Sequence, residues 1–185
     1  MSMMQRLKSL YWIYFSKPRN SRVLYRAVRN LRAKRIVEFG ITDPVRSLRL
    51  IEMAVGACPP GQQVCYTAMD LFDARSDDQA SLTIKQAHRY FGTSKAKVQL
   101  VPGPPAEGLA RTANTLLGTD LVIFSADAVP AGNSKLWFYL PRLLHAQSCL
   151  FQAHQQDQGQ ECAFGKISRA EVEQRAAASA PKRVA

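Results

Sequence analysis

The residues able to do chemistry here are Glu38, Gly40, Asp43 and Asp70, with Gly103 and Ser125 at comparable places further along the chain. Asp70 closes the apolar run Val64-Cys-Tyr-Thr-Ala-Met69. A carboxylate at the end of a strand can accept both hydroxyl hydrogens of a ribose, which fixes orientation as well as affinity; its competing use is to cap a turn or the next helix. The segment Arg35-Ile-Val-Glu-Phe-Gly-Ile-Thr-Asp-Pro44 reads as a buried strand, a tight turn and a helix start. Gly40 can adopt backbone angles closed to other residues. Asp43 is a good N-cap, and Pro44 suits the first helical position, where its missing N–H would be unpaired anyway. A strand–glycine–helix junction is where open α/β sheets hold nucleotide-like cofactors, at the carboxyl ends of the strands.

The elements that must position these residues alternate along the chain. Strands are expected at Ile36–Phe39, Val64–Met69, Val98–Val101, Asp120–Ser125 and Cys149–Gln152, with a sixth at Cys162–Ile167. Helices are expected over about 3–15, from Ser21 or Asn20 to Lys34, and over Pro44–Ala57, where Val45, Leu48, Ile51 and Val55 recur at helical spacing. Ser76 with Gln79 reads as a capping box opening a helix that ends at Gly92. Further helices are expected over Ala106–Leu117, through Leu136 to Leu144 with a kink at Pro141, and after Ser168. One helix in each gap between strands implies βαβ units and a doubly wound, mostly parallel Rossmann-like sheet with helices on both faces. The organisation follows: a basic, aromatic N-terminal helical arm over 1–34, a Rossmann-like domain over 35–176 and a disordered tail over 177–185.

Such a sheet places four loops in the ligand crevice: Glu38 to Asp43, Asp70 to Asp73 (with Leu71), Gly103, and Ser125 to Asp127. Asp127 reads as a loop carboxylate. The first loop discriminates between ligands. A pyrophosphate favours free N–H groups and positive potential at the helix start. Here Asp43 brings negative charge and Pro44 removes an N–H, so a cationic ligand such as S-adenosylmethionine suits the loop better than a nicotinamide dinucleotide.

Charge is lopsided. Of 25 Lys and Arg, ten lie within residues 1–35, which hold no Asp or Glu, and the rest of the chain is nearly balanced. Tyr11, Trp12, Tyr14, Phe15 and Tyr25 are interleaved with these charges. Two readings stand: a surface for an anionic partner (RNA, a lipid surface or an acidic protein), or a helix pair whose aromatics cover the sheet while arginines face water. No apolar run approaches the roughly 18 residues of a membrane span, and none suits a secretory signal, so a cytoplasmic protein is expected. Cys58, Cys65, Cys149 and Cys162 form no C-x-x-C pair and the three histidines no H-x-x-x-H pattern, so buried thiols and no metal are expected.

The order of elements from Arg35 to Gln152 resembles the class I S-adenosylmethionine-dependent methyltransferases. The resemblance rests on Val37-Glu-Phe-Gly40, Tyr66-Thr-Ala-Met-Asp70, Asp120-Leu-Val-Ile-Phe-Ser125 and the helix–turn–strand stretch Leu140 to Phe151. It implies S-adenosylmethionine as cofactor, with Glu38, Gly40 and Thr42 by its methionine portion, Asp70 and Leu71 by the ribose, Gly103 by the adenine, and Ser125 on the rim. The family pattern E-x-G-x-G-x-G falls on Glu38, Gly40, Thr42 and Pro44, so only its first glycine is kept. The family's C-terminal strand pair is shortened or missing. No catalytic residue is assigned. The functional expectation is a methyltransferase-like protein; the alternative is a degenerate binding or scaffold module that works through its basic arm.

Overall fold

The computed structural model describes residues 3–75, 82–125, 128, 135–154 and 163–179. Its six-stranded sheet comprises β1 (Arg35–Phe39), β2 (Cys65–Asp70), β3 (Lys97–Pro102), β4 (Thr119–Phe124), β5 (Leu144–His154) and β6 (Ala163–Ile167). The spatial order is β3-β2-β1-β4-β5-β6. All neighbouring pairs are parallel except β5 and β6, which form an antiparallel edge. Strand order reverses beside β1, between β2 on one side and β4 on the other. Among the described residues β6 is the one antiparallel strand, at the sheet edge beside β5.

Helices cover both faces. On one lie α1 (Met3–Tyr14), α2 (Arg22–Leu31), α3 (Pro44–Ala57) and α4 (Ile84–Phe91). They pack on Ile36, Tyr66, Ala68, Leu121, Ile123 and Phe151. On the other lie α5 (Pro105–Thr112), α6 (Lys135–Leu143) and α7 (Arg169–Ala178), against Val37, Phe39, Met69, Val122, Phe124 and Leu150. Side chains alternate between the two faces because strand residues point to opposite sides in turn. The Phe39 and Phe124 rings stack with centroids 4.7 Å apart, and Trp137 of α6 closes on Phe124 at 5.7 Å. Each large apolar side chain fully withdrawn from water here contributes about 1.5–3 kcal/mol. On that second face α5 comes close to the sheet at Gly108, where a Cβ would meet Val101 at 3.1 Å and Met69 at 3.3 Å.

Several boundaries differ from the sequence reading. The capping box at Ser76 and Gln79 falls outside the described residues. Instead α4 opens at Ile84, with Thr83 accepting from the Gln86 N–H and Gln86 answering to the Thr83 N–H. The fifth strand spans eleven residues because Ser148 bonds both His145 and Thr119, tying the polar start of the strand to β4. The last helix runs to Ala178 and Ser179 closes it, so residues 177–179, expected in the tail, belong to the helix and its cap. The arm splits the two readings offered for it. Leu24, Tyr25 and Val28 of α2 are buried, as are Trp12 and Ile13 of α1, but Tyr11, Tyr14 and Phe15 remain exposed. Among the described residues no helix is long and apolar enough to cross a membrane.

Candidate functional site

The strand ends after β1, β2, β3 and β4 meet at one rim. The Gly40 N–H donates to the Met69 carbonyl, the Gly103 N–H to the Asp70 carbonyl and the Ser125 N–H to the Phe39 carbonyl, each at 2.9 Å. Gly40, Asp70, Gly103 and Ser125 therefore sit side by side. Gly40 has φ of 75°, and a Cβ there would lie 2.7 Å from the Ala128 Cβ, so both its conformation and its surroundings require glycine. Thr42 and Leu71 are exposed on the same rim. Asp43 accepts from the Arg46 N–H at 3.1 Å and caps α3, as its position beside Pro44 predicts. Asp127 lies outside the described residues.

Asp70 is the centre of this rim. It is almost fully buried, and both oxygens are engaged. Oδ1 accepts from the Phe72 N–H at 2.8 Å and from Arg75 Nε at 2.9 Å. Oδ2 accepts from the Ile41 N–H, next to the glycine turn, and from Arg75 Nη2. Arg75 Nη2 also donates to the Ile41 carbonyl at 3.0 Å. One lone pair on each oxygen thus serves the backbone, and the other pair is held by the fork of Arg75, a bidentate geometry that guanidinium favours.

Glu38 reaches the same rim but turns under α3. Its Oε1 accepts from Arg46 Nη2 and its Oε2 from the Tyr66 hydroxyl, each at 2.7 Å. Arg46 Nη2 reaches on to the Ser125 hydroxyl at 3.1 Å, and its guanidinium lies 5.1 Å from the Phe164 ring centroid. Burial is the largest single effect on Arg46 and lowers its pKa, but the charge and hydrogen bond of Glu38, with the charges of Asp43 and Tyr66, together outweigh it and hold the group above its usual value. Tyr66 is pushed well above the ordinary tyrosine value, by burial first and the Glu38 charge second. The Arg46 Nε–H is buried and, among the described residues, has no acceptor.

The sequence reading brought Glu38, Gly40, Thr42, Asp70, Leu71, Gly103 and Ser125 to one edge but missed Arg46, Tyr66 and Arg75. A signal for Arg46 existed. It is the third residue of α3, where the helix dipole favours an anion and a capping box would carry Glu or Gln. An arginine there needs a partner, and the acidic candidate was Glu38, eight residues earlier. Asp120, quoted for the fourth-strand motif, serves the opposite rim, where it accepts from the Lys34 and Arg35 N–H groups at 2.8 Å.

An adenosine-bearing ligand can be tested against these groups. With Arg75 in place, Asp70 has no acceptor capacity left. With Arg75 withdrawn, one lone pair on each oxygen becomes available, which is what the two hydroxyls of a ribose require. The residues fit such a ligand on that condition, and the orphaned Arg46 N–H is a donor suited to a carboxylate.

No protein-family model and no curated protein matches this chain. Solved structures do. A provisionally assigned caffeoyl-CoA O-methyltransferase from Staphylococcus aureus superposes with a TM-score of 0.53 at 15% identity, covering 82% of this chain and 66% of its own. The chain thus spans about two thirds of that structure's length. A provisionally assigned protein-L-isoaspartate O-methyltransferase from Plasmodium falciparum, crystallised with S-adenosyl-L-homocysteine, gives 0.49 at 12% identity over 83% of this chain and 71% of its own. The O-methyltransferase of tomaymycin synthesis from Streptomyces achromogenes, crystallised with S-adenosylmethionine, gives 0.49 at 12% over 95% and 75%. From the strand order, the switch point beside β1 and the first of these superpositions, the chain has the fold of the class I S-adenosylmethionine-dependent methyltransferases.

Proposed function

We propose that this chain is a methyltransferase-like protein that binds S-adenosylmethionine across the carboxyl ends of β1, β2 and β3. The observation that carries the reading is the Asp70 carboxylate, seated beside the Gly40 turn with one lone pair on each oxygen held by Arg75 alone. In this reading Asp70 takes the ribose hydroxyls with Leu71 beside them, and Gly103 flanks the adenine. Gly40 and Thr42 border the methionine portion, Ser125 lines the rim, and Arg46, held by Glu38, offers its free N–H to the ligand carboxylate. The cofactor would supply a methyl group on a sulfonium. The chain's part would be to orient it and exclude water, since holding reactants in line accounts for much of the acceleration of such transfers. No side chain is assigned as general base.

One observation favours a second reading, a closed module that binds no cofactor: Arg75 already satisfies Asp70. Calorimetry separates the two. Titration of the full chain with S-adenosylmethionine and with S-adenosylhomocysteine is expected to show binding, weakened about tenfold or more in Asp70→Asn. Absence of binding at millimolar ligand, for both the natural chain and Arg75→Ala, would reject the cofactor reading and leave the module.

A further inference from the structure

The helix α1 is apolar on two opposite faces. At about 100° per residue, Ser9, Trp12 and Ile13 point to one side, and all three are buried against the domain. Met3, Met4, Leu7, Leu10, Tyr11 and Tyr14, with Phe15 one residue past the helix end, cover the other side within an arc of about 140°. That second face is open: Met3 is 80% exposed, Met4 78%, Phe15 68% and Leu7 58%. A contiguous apolar stripe at the surface, rimmed by polar residues, marks a docking site.

The surroundings of that stripe identify the occupant. Lys8 flanks it on one side, paired with Glu52 at 2.9 Å and lying 4.9 Å from the Trp12 ring centroid. On the other side Arg6 and Arg29 share a cleft with Leu10, and Arg26 and Arg29 share the next one with Tyr14. Arg26 lies 5.9 Å from the Tyr14 ring centroid. Lys17 and Arg19 follow, both exposed. We propose that the outer face of α1 docks onto an anionic lipid bilayer, with the helix lying flat and its flanking lysine and arginines at headgroup level. The chemistry is that of an interfacial amphipathic helix: apolar side chains enter the acyl boundary while long basic side chains remain with the phosphates. Nucleic acid would match the charges but leave Met3, Met4 and Leu7 without a partner. A second copy would match the apolar stripe but bring two basic arms, each without an acidic residue, against one another.

The test is co-flotation of the full chain with vesicles of phosphatidylcholine containing about 30% phosphatidylglycerol, alongside vesicles of phosphatidylcholine alone. Binding is expected on the anionic vesicles and is expected to weaken as salt rises. Replacing Leu7 and Phe15 by serine is expected to lower the bound fraction about tenfold or more. These side chains are exposed, so the melting temperature should not change. Arg26→Glu with Arg29→Glu is a second route to the same loss that leaves the sequence of α1 unchanged. No binding to either vesicle overturns the proposal. So does binding unaffected by the serine pair, which would reduce the surface to charge alone. A dimer in solution that the serine pair dissociates would assign the face to a second copy instead. RNA binding that the serine pair leaves unchanged, without vesicle binding, would also reject it.

Discussion

The Glu38–Arg46 pair and the Asp70–Arg75 pair both set a buried arginine against a buried carboxylate at a strand end, with the four side chains between 0% and 7% exposed. They differ in what else each carboxylate holds. Both oxygens of Glu38 are taken by side chains, Arg46 from α3 and Tyr66 from β2, so the pair ties a helix and two strands together. Each oxygen of Asp70 takes one backbone N–H as well, and Arg75 comes from the connection after β2 rather than from a helix or strand. Losing Arg46 would strip Glu38 to a single hydroxyl. Losing Arg75 would leave Asp70 half satisfied, with its freed lone pairs at the rim. The first arrangement is a lock within the fold; the second, in the proposed reading, is a latch over the carboxylate that would take the ribose.

The largest effect expected from this contrast is at Arg46. Arg46→Met leaves a buried carboxylate without its charge partner and is expected to cost about 3–5 kcal/mol, read by urea unfolding. Arg75→Ala is expected to cost less, about 2 kcal/mol, because backbone donors remain on Asp70. The second variant should also bind S-adenosylhomocysteine about tenfold or more tightly than the natural chain, and the ligand should restore part of its lost melting temperature. Equal losses for the two variants, with no gain in affinity, would erase the distinction between lock and latch.

Tyr66→Phe probes the lock from its other side. It removes one of the two donors to Glu38 and is expected to cost about 1.5 kcal/mol. It should also change the alkaline limb of the stability curve. The Tyr66 pKa is raised in the folded protein from an ordinary value of 10.0. Its contribution is therefore complete below that value and fades as pH rises through it, because the unfolded chain ionises first. Tyr25, raised mainly by burial, acts in the same direction. Unfolding measured between pH 9 and 11, about one unit either side of the tyrosine value, should show a shallower alkaline decline in Tyr66→Phe than in the natural chain.

Local pattern sufficed for the scaffold of this site. Pro44–Ala57 forms the helix that its spacing and Asp43 cap predict, and the strand-per-helix alternation produces the parallel order that brings Gly40 beside Asp70. What sequence could not supply was pairing across the turn. Nothing in the neighbours of Asp70 tells whether it meets a ligand or Arg75, because both satisfy the same lone pairs. Two signatures of the same kind, Ser76 with Gln79 and Thr83 with Gln86, competed for the start of α4, and local chemistry does not rank them. The start of β5 is polar and is held by Ser148 bonds to β4 rather than by its own β-propensity. On the arm, sequence left the aromatics either covering the sheet or facing a partner, and the structure divides them, burying Trp12 and Tyr25 while Tyr11, Tyr14 and Phe15 stay exposed.

The finest test separates hydrogen bonding from charge at the helix start that carries the lock. Asp43 accepts from the Arg46 N–H and also adds to the charge that favours the Arg46 cation. Asp43→Ala removes both and is expected to cost about 1 kcal/mol. Asp43→Asn keeps a capping oxygen but drops the charge, and is expected to cost about 0.5 kcal/mol. If asparagine is as damaging as alanine, the carboxylate acts on Arg46 through its field, and the lock extends from Glu38 to the cap. If asparagine is harmless, Asp43 only starts the helix, and Glu38 with Tyr66 holds the buried cation unaided.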